Sequence, residues 1–186
     1  MKENVNENAK ARLKTSDLVM IALFAAIVAV FSQIAIPMPT QVSVTLQTFA
    51  VALCGYSLGA KKGTAAILVY ILLGAIGIPV FTGFKGGIAC IASFTGGFIY
   101  GFLPFVFLCG VSIKSKPLRI VLGFFGLLVC HLLGTLHYSL LTSNGFIASF
   151  LLVSAPYLIK DFISVALAFF ASIAITKATG RLTASR

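Results

Sequence analysis

Twelve of the fourteen lysines and arginines in this chain fall into four short groups, and long apolar stretches separate the groups. Because basic residues collect on the cytoplasmic side of membrane proteins, we interpret the groups as four cytoplasmic segments. Each apolar stretch must leave the cytoplasm and return, which takes two membrane spans. The pattern therefore predicts six transmembrane helices with both termini in the cytoplasm. The groups are Lys2/Lys10/Arg12/Lys14, Lys61/Lys62, Lys114/Lys116/Arg119 and Lys177/Arg181/Arg186.

The composition also favours a membrane protein. The mean hydropathy is +1.07 and only 10% of the residues are charged, whereas about 25% are charged in a typical soluble domain. A net charge of +10 would suggest nucleic acid as the partner of a soluble protein. Here the charge lies beside apolar helices, where it sets the topology and faces anionic lipid headgroups. We therefore expect membrane lipid, and no nucleic acid, around this chain.

The apolar runs and the glycine and proline positions divide the chain into an all-α, compact bundle of six helices. Ser16 or Asp17 can cap the first helix, and Pro37 ends it. We expect a disordered cytoplasmic tail at residues 1–16, the six-helix transmembrane domain at 17–178 and a second cytoplasmic tail at 179–186. The predicted helices are Leu18–Ile36, Thr45–Ala60, Thr64–Ile78, Ile88–Ile113, Pro117–Leu141 and Phe150–Thr176.

Three features modify this simple pattern. The second helix is short for a span, so we expect Met38–Val44 to form a partly buried loop before it. We expect Gly96 and Gly97 to interrupt or loosen the fourth helix. Pro156 lies in the outer part of the sixth helix.

Three charged residues lie away from the basic groups and from the tail. Lys85 stands among glycines on the outer side, so it either attracts an anion or is an exposed turn lysine. Asp161 lies within the last span, where an ionised side chain costs roughly 2.5–3.5 kcal/mol. The long side chain of Lys160 can reach the membrane–water interface, whereas the short side chain of Asp161 cannot. Asp161 is therefore a candidate ligand contact, with a structural ion pair as the alternative.

Small residues recur at helical spacing along the first helix. Two alanine pairs, each four residues apart, allow a second helix to approach closely within lipid. The second helix belongs either to a partner or to the same bundle. The pairs are Ala22/Ala26 and Ala25/Ala29.

Catalysis and metal binding find little support. The four cysteines are spread singly through apolar helices without metal-ligand spacing. His131 and His137 lie six apart on one helix and so face different sides, which disfavours a shared metal. No catalytic motif occurs. We therefore expect no enzyme activity, no catalytic residues, no metal and no cofactor.

Four ordered motifs between about Ala35 and Phe102 resemble those of the BioY family, the biotin-binding S components of energy-coupling-factor (ECF) transporters. The motifs are VTLQTF at 44–49, LGAKKG at 58–63, LGAIGIPVF at 73–81 and SFTGGF at 93–98. The resemblance implies a multi-pass protein of the bacterial plasma membrane that takes up biotin. It also implies docking, through the small-residue face of helix 1, on a transmembrane coupling subunit (EcfT) that works with two ABC-type ATPases.

The resemblance also implies ligand contacts. Asp161 takes the carboxylate position of the family, while Ser164 stands where the family has lysine. We therefore expect Lys85 or Lys160 to supply the missing positive charge. The remaining expected contacts come from the motif segments and the adjoining helix, namely Gln47, Phe81, Gly97 and Tyr100.

Three other functions stay open from the residues alone. The chain could be an S component for another small vitamin, since its expected ligand contacts depart from the family pattern. It could be a small membrane enzyme or assembly protein. It could also be a carrier that works without ATPases.

Overall fold

The computed structural model describes residues 14–184, so most of the predicted tail at 1–16 lies outside the described residues. Residues 179–184 of the second predicted tail belong instead to the last helix. Within that range the chain forms seven helices and one short antiparallel ribbon, and four of the helices are long and apolar enough to cross a membrane. The predicted all-helical membrane architecture is confirmed. The elements are α1 Thr15–Gln33, β1 Ala35–Ile36, β2 Val44–Thr45, α2 Gln47–Ala75, α3 Ile88–Ala92, α4 Gly96–Gly110, α5 Lys116–Thr142, α6 Phe146–Val153 and α7 Ala155–Ala184.

The element α2 is a helical hairpin rather than one straight helix. The side-chain amide of Gln47 donates to the hydroxyl of Tyr70 over 2.8 Å, although 23 residues separate the two. In a straight helix, 23 residues would span about 35 Å. The chain reverses at Gly59, whose φ of 78° and ψ of 171° are not helical. That backbone region is essentially restricted to glycine. The two predicted helices at 45–60 and 64–78 correspond to the two halves of α2.

The first helix begins earlier than predicted and without the predicted cap. Lys14 occupies the N-cap position of α1, and no side chain caps the helix. Asp17 instead accepts a hydrogen bond from the Lys62 ammonium, whose Nζ lies 2.5 Å from Oδ1. This ion pair joins the start of α1 to the reversal of α2, so the expected capping role of Ser16 or Asp17 was wrong.

Two predicted helices are interrupted. The fourth is divided into α3 and α4 around Ser93, as Gly96 and Gly97 led us to expect. The sixth was predicted to be continuous but breaks at Ser154, which has a φ of −127°. The cause is Pro156, since a proline lacks the N–H that a continuing helix needs and its ring clashes with the carbonyl four residues earlier.

The hairpin α2 forms the centre of the bundle and packs against α1, α4 and α7, while α5 packs against α4, α6 and α7. At one end lie the reversal of α2, the end of α4 and the start of α5. A Cβ on Gly110 would lie 2.3 Å from the backbone of Ala60, and Arg119 lies over the ring of Tyr56. We call this the basic end, after Lys14, Lys61, Lys62, Lys114 and Lys116. The opposite, loop end carries the β1–β2 ribbon and residues 76–87.

Candidate ligand-binding site

A cavity of about 350 Å³ lies toward the loop end of the bundle. The walls of the cavity come from residues 37–48, from the turn at 81–85 and from α4, α5 and α7. Residues 35–48, which contain the β1–β2 ribbon, are called the ribbon segment below. The size of the cavity falls in the range of small-molecule sites, which combine apolar walls with a few polar groups. The aromatic part of the wall comes from Tyr70, Phe81, Phe94, Phe98, Phe102 and Tyr157.

Asp161 is the acidic group of the cavity and is only 4% exposed. Its Oδ2 lies 3.2 Å from Nε2 of His131 on α5, and its Oδ1 is in ion-pair contact with the ammonium of Lys160. Both carboxylate oxygens therefore already have a cationic or N–H partner. Each oxygen of an ionised carboxylate has two acceptor positions, so the group can still accept a hydrogen bond from a ligand.

A chain of buried polar side chains continues behind His131. Its Nδ1 lies 3.0 Å from the hydroxyl of Ser154, which lies 2.7 Å from that of Thr135. An ionised carboxylate only accepts, so Nε2–H donates to Asp161 and a neutral ring accepts from Ser154. This network ties α5 to the break between α6 and α7 and fixes the direction of the carboxylate.

The order aspartate, histidine, serine is also that of hydrolase triads. In such a triad the serine must face the substrate. Ser154 is fully buried and does not line the cavity, so this network orients a binding group and presents no nucleophile.

The ribbon segment is fastened to α7 by two side chains. Lys160 donates to the carbonyl of Thr45 over 2.6 Å, and the hydroxyl of Tyr157 donates to the carbonyl of Val42 over 2.7 Å. Val42 is buried, which agrees with the expectation of a partly buried loop after helix 1. One side of the cavity is therefore a loop held down by polar contacts.

The opposite wall is built around Phe81. Its ring packs edge-on against Tyr70, with centroids 5.5 Å apart, and Gln47 fixes the Tyr70 hydroxyl. A Cβ on Gly74 would lie 2.1 Å from the Phe81 ring, so only glycine leaves room for it there. Gln33 accepts from the backbone N–H of Phe84 over 2.9 Å and thereby holds the turn.

Five of the eight predicted ligand contacts line this cavity, and three do not. Gly97 lies between α4 and α5, where a Cβ would approach His137 to 2.5 Å. Tyr100 packs edge-on against the same histidine. Ser164 is buried one turn beyond Asp161, outside the cavity wall. The five lining residues are Gln47, Phe81, Lys85, Lys160 and Asp161.

Sequence reasoning missed His131 and Tyr70 as parts of the site. His131 was considered only as a metal ligand with His137, and Tyr70 was not singled out at all. A histidine within a span, like the aspartate, is itself a sign of function. That sign could have suggested the Asp161–His131 pair, although nothing in the sequence shows that the two meet.

The alanines of α1 divide into two faces. Ala25 is 2% exposed and belongs to the core, with Ala29 partly buried beside it. Ala22 and Ala26 are exposed. The free small-residue surface of α1 therefore contains Ala22 and Ala26.

The fold and the cavity define a class: a helical membrane protein with a partly open small-molecule site near one end of the bundle. The model of the BioY family matches residues 3–181. The chain therefore belongs to the BioY family, which is a transporter family and not an enzyme family.

Individual relatives agree with this membership. The chain is 39% identical over 84% of its length to "Probable biotin transporter BioY" of Pyrococcus horikoshii, covering 93% of that protein. It is 38% identical over 89% of its length to "Biotin transporter BioY2" of Lactococcus lactis, covering 92% of that protein. A solved structure, the S-component for biotin from an ECF-type ABC transporter, superposes with a TM-score of 0.79 at 23% identity, covering 87% of this chain and 91% of that one.

Proposed function

We propose that this chain is the membrane-embedded biotin-binding subunit of a biotin uptake system. The observation that carries the proposal is the buried Asp161 on the wall of a cavity of small-molecule size, in a chain that belongs to the BioY family. The relatives named above are biotin transporters.

The chemistry of biotin suits this cavity. Biotin has a ureido group with two N–H donors, an apolar bicycle and tail, and a carboxylate. Each carboxylate oxygen of Asp161 has one acceptor position left besides its contact with His131 or Lys160, so a ureido N–H can donate to it. Phe81 and Tyr70 offer apolar surface to the bicycle. Hydrogen bonds to a charged group contribute about 1.5–3 kcal/mol.

We further propose six membrane crossings with both termini in the cytoplasm, in the cell (plasma) membrane. The two halves of α2 count as separate spans because the chain reverses at Gly59. The lysines of the basic end then face the cytoplasm, as the positive-inside rule requires. The cavity, which lies toward the loop end, opens to the outside.

The proposed partner is an ECF coupling module, in which a coupling subunit (EcfT) works with two ABC-type ATPases. The exposed Ala22 and Ala26 on α1 support a docking role, since small residues let helices approach closely within lipid. In this scheme the chain binds the vitamin without chemical change, and ATP hydrolysis by the partners drives its release inward.

Calorimetric titration of the purified protein with biotin tests the proposal. We expect Asp161→Asn, which keeps the shape and removes the charge, to weaken binding roughly 10- to 100-fold. Asp17→Asn is the matched control because Asp17 pairs with Lys62 at the basic end, and it should bind like the parent.

Competition separates biotin from other ligands. Displacement of bound biotin by thiamine or riboflavin at similar concentrations would instead favour an S component for another vitamin. No biotin binding by the parent protein would overturn the proposal.

A further inference from the structure

The charged side chains on the cavity wall do not balance. Within the described part of the chain the lining contains Lys85, Lys160 and Asp161 as its charged residues. With a neutral His131 the wall carries one positive charge in excess. A low-dielectric cavity with an excess charge favours a ligand of the opposite sign. The expected occupant is therefore a monoanion.

The two lysines differ in what they already bind. Lys160 contacts the Asp161 carboxylate and donates to the carbonyl of Thr45 over 2.6 Å. Its charge is neutralised within the protein. Lys85 makes no ion pair and no side-chain hydrogen bond with any residue that the structure describes between positions 14 and 177. The excess charge therefore belongs to Lys85.

The backbone around Lys85 is fixed in spite of its exposed position. The Phe81 N–H donates to the Lys85 carbonyl over 2.9 Å, and the Lys85 N–H donates back over 3.2 Å. Gln33 binds the N–H of Phe84 and the carbonyl of Phe81. The turn is thereby joined to the end of α1, which holds the start of the Lys85 side chain at the cavity wall. A turn that is already ordered loses less backbone entropy when a ligand binds to it.

Lys85 and Asp161 occupy different depths. Lys85 is exposed on the turn that borders the loop end, whereas Asp161 is buried beside His131. Aromatic side chains of the wall, among them Phe81 and Phe98, line the same cavity. The site thus offers a buried acceptor for N–H groups, an apolar middle and a cation at the rim.

We infer that Lys85 binds the carboxylate of the ligand, so that an amphiphilic monoanion lies with its N–H donors at Asp161 and its acid at the rim. This inference rests on the proposed function and extends it. It gives Lys85 a role in specificity, namely selection for ligands with a free acid. It also decides between the two lysines that the sequence left open.

Binding of two ligands to two proteins tests this inference. The ligands are biotin and biotinamide, in which a neutral amide replaces the acid, and the proteins are the parent and Lys85→Met. The parent protein should prefer biotin roughly 10-fold, the effect of one charge-assisted hydrogen bond at the lower end of its range. Lys85→Met should weaken biotin by that factor and leave biotinamide unchanged, so the preference disappears. Lys85→Arg should retain it, and raised salt should reduce it in the parent.

Lys114→Met is the matched control, since Lys114 is an exposed lysine at the basic end. It should preserve the preference for biotin. Unchanged binding of biotinamide to Lys85→Met shows in the same experiment that the variant is folded.

Each remaining result overturns something definite. A preference for biotin that persists in Lys85→Met, or equal binding of both ligands by the parent, overturns the role of Lys85 and leaves biotin binding in place. Failure of the parent to bind either ligand overturns the proposed function, and the inference with it.

Discussion

Nε2 of His131 lies 3.2 Å from Oδ2 of Asp161, and both side chains are buried. The pair joins α5 to α7, two helices whose facing sides could not be derived from hydropathy. It places the acidic group of the cavity in one fixed orientation, with Ser154 and Thr135 behind it.

His131→Ala removes this partner and leaves a buried carboxylate oxygen without its donor. A buried polar atom left unpaired costs about 1–3 kcal/mol, so we expect lower thermal stability and weaker biotin binding. Thermal unfolding of the purified protein and calorimetric titration measure the two effects. Leu132→Ala, at an exposed position on the same helix, should change neither. Normal affinity in His131→Ala would show that the carboxylate needs no support from α5.

Lys160→Met removes both the ion pair with Asp161 and the hydrogen bond to Thr45. The ribbon segment then retains the Tyr157 contact with Val42 but loses one of its two fastenings to α7. We expect biotin to dissociate faster, by roughly 10-fold if one charge-assisted hydrogen bond is lost. Stopped-flow exchange against unlabelled ligand measures this rate.

The neighbouring Ile159→Met serves as the control, since Ile159 is 76% exposed. Its dissociation rate should match that of the parent. An unchanged rate in Lys160→Met would mean that the loop contact does not limit release.

Gly59→Ala places a Cβ at a φ of 78°, although space is available around it. Strain of this kind costs of order 1–3 kcal/mol, so the midpoint of thermal unfolding should fall. Gly145→Ala is a suitable control because Gly145 has an ordinary φ of −59° and nothing within 4 Å of a Cβ. Equal midpoints for the two variants would contradict the tight reversal at Gly59.

Substitution by leucine should have different effects on the two alanine faces of α1. Ala26→Leu changes an exposed position, so stability and biotin binding should persist while co-purification with the coupling subunit decreases. Ala25→Leu overfills the core, which typically costs 1–3 kcal/mol, and should lower the unfolding midpoint. Val121→Leu, on the exposed side of α5, should reduce neither co-purification nor the unfolding midpoint. Undiminished co-purification of Ala26→Leu would place the docking surface elsewhere.

The sequence predicted the apolar helices well and their interruptions unevenly. Gly96 and Gly97 indicated the break between α3 and α4. Pro156 was noted, but the break at Ser154 was not predicted, since a proline can also bend a membrane helix that continues. The ribbon at 35–45 was missed because two residues per strand are too few to give a pattern.

The cavity wall was predicted in part. Asp161, which lies on that wall, was selected because an aspartate within an apolar span is rare and costly. Its contact with a ligand stays a prediction. Gly97, from the motif at 93–98, and Tyr100, from the helix that follows it, were assigned to the site, yet they lie at the contact between α4 and α5. Membership of a motif does not fix the direction in which a side chain points.

By itself the sequence determined the class of protein, the order of its helices, the turn between the second and third spans and the acidic group in the last helix. These follow from properties local to the chain, namely the hydropathy of about twenty successive residues and the position of the basic groups. Only the tertiary structure decided that His131 pairs with Asp161, that Lys160 is already neutralised and that Lys85 is not. Such pairings depend on how each helix is rotated about its axis, and that rotation is set by packing between segments distant in the chain.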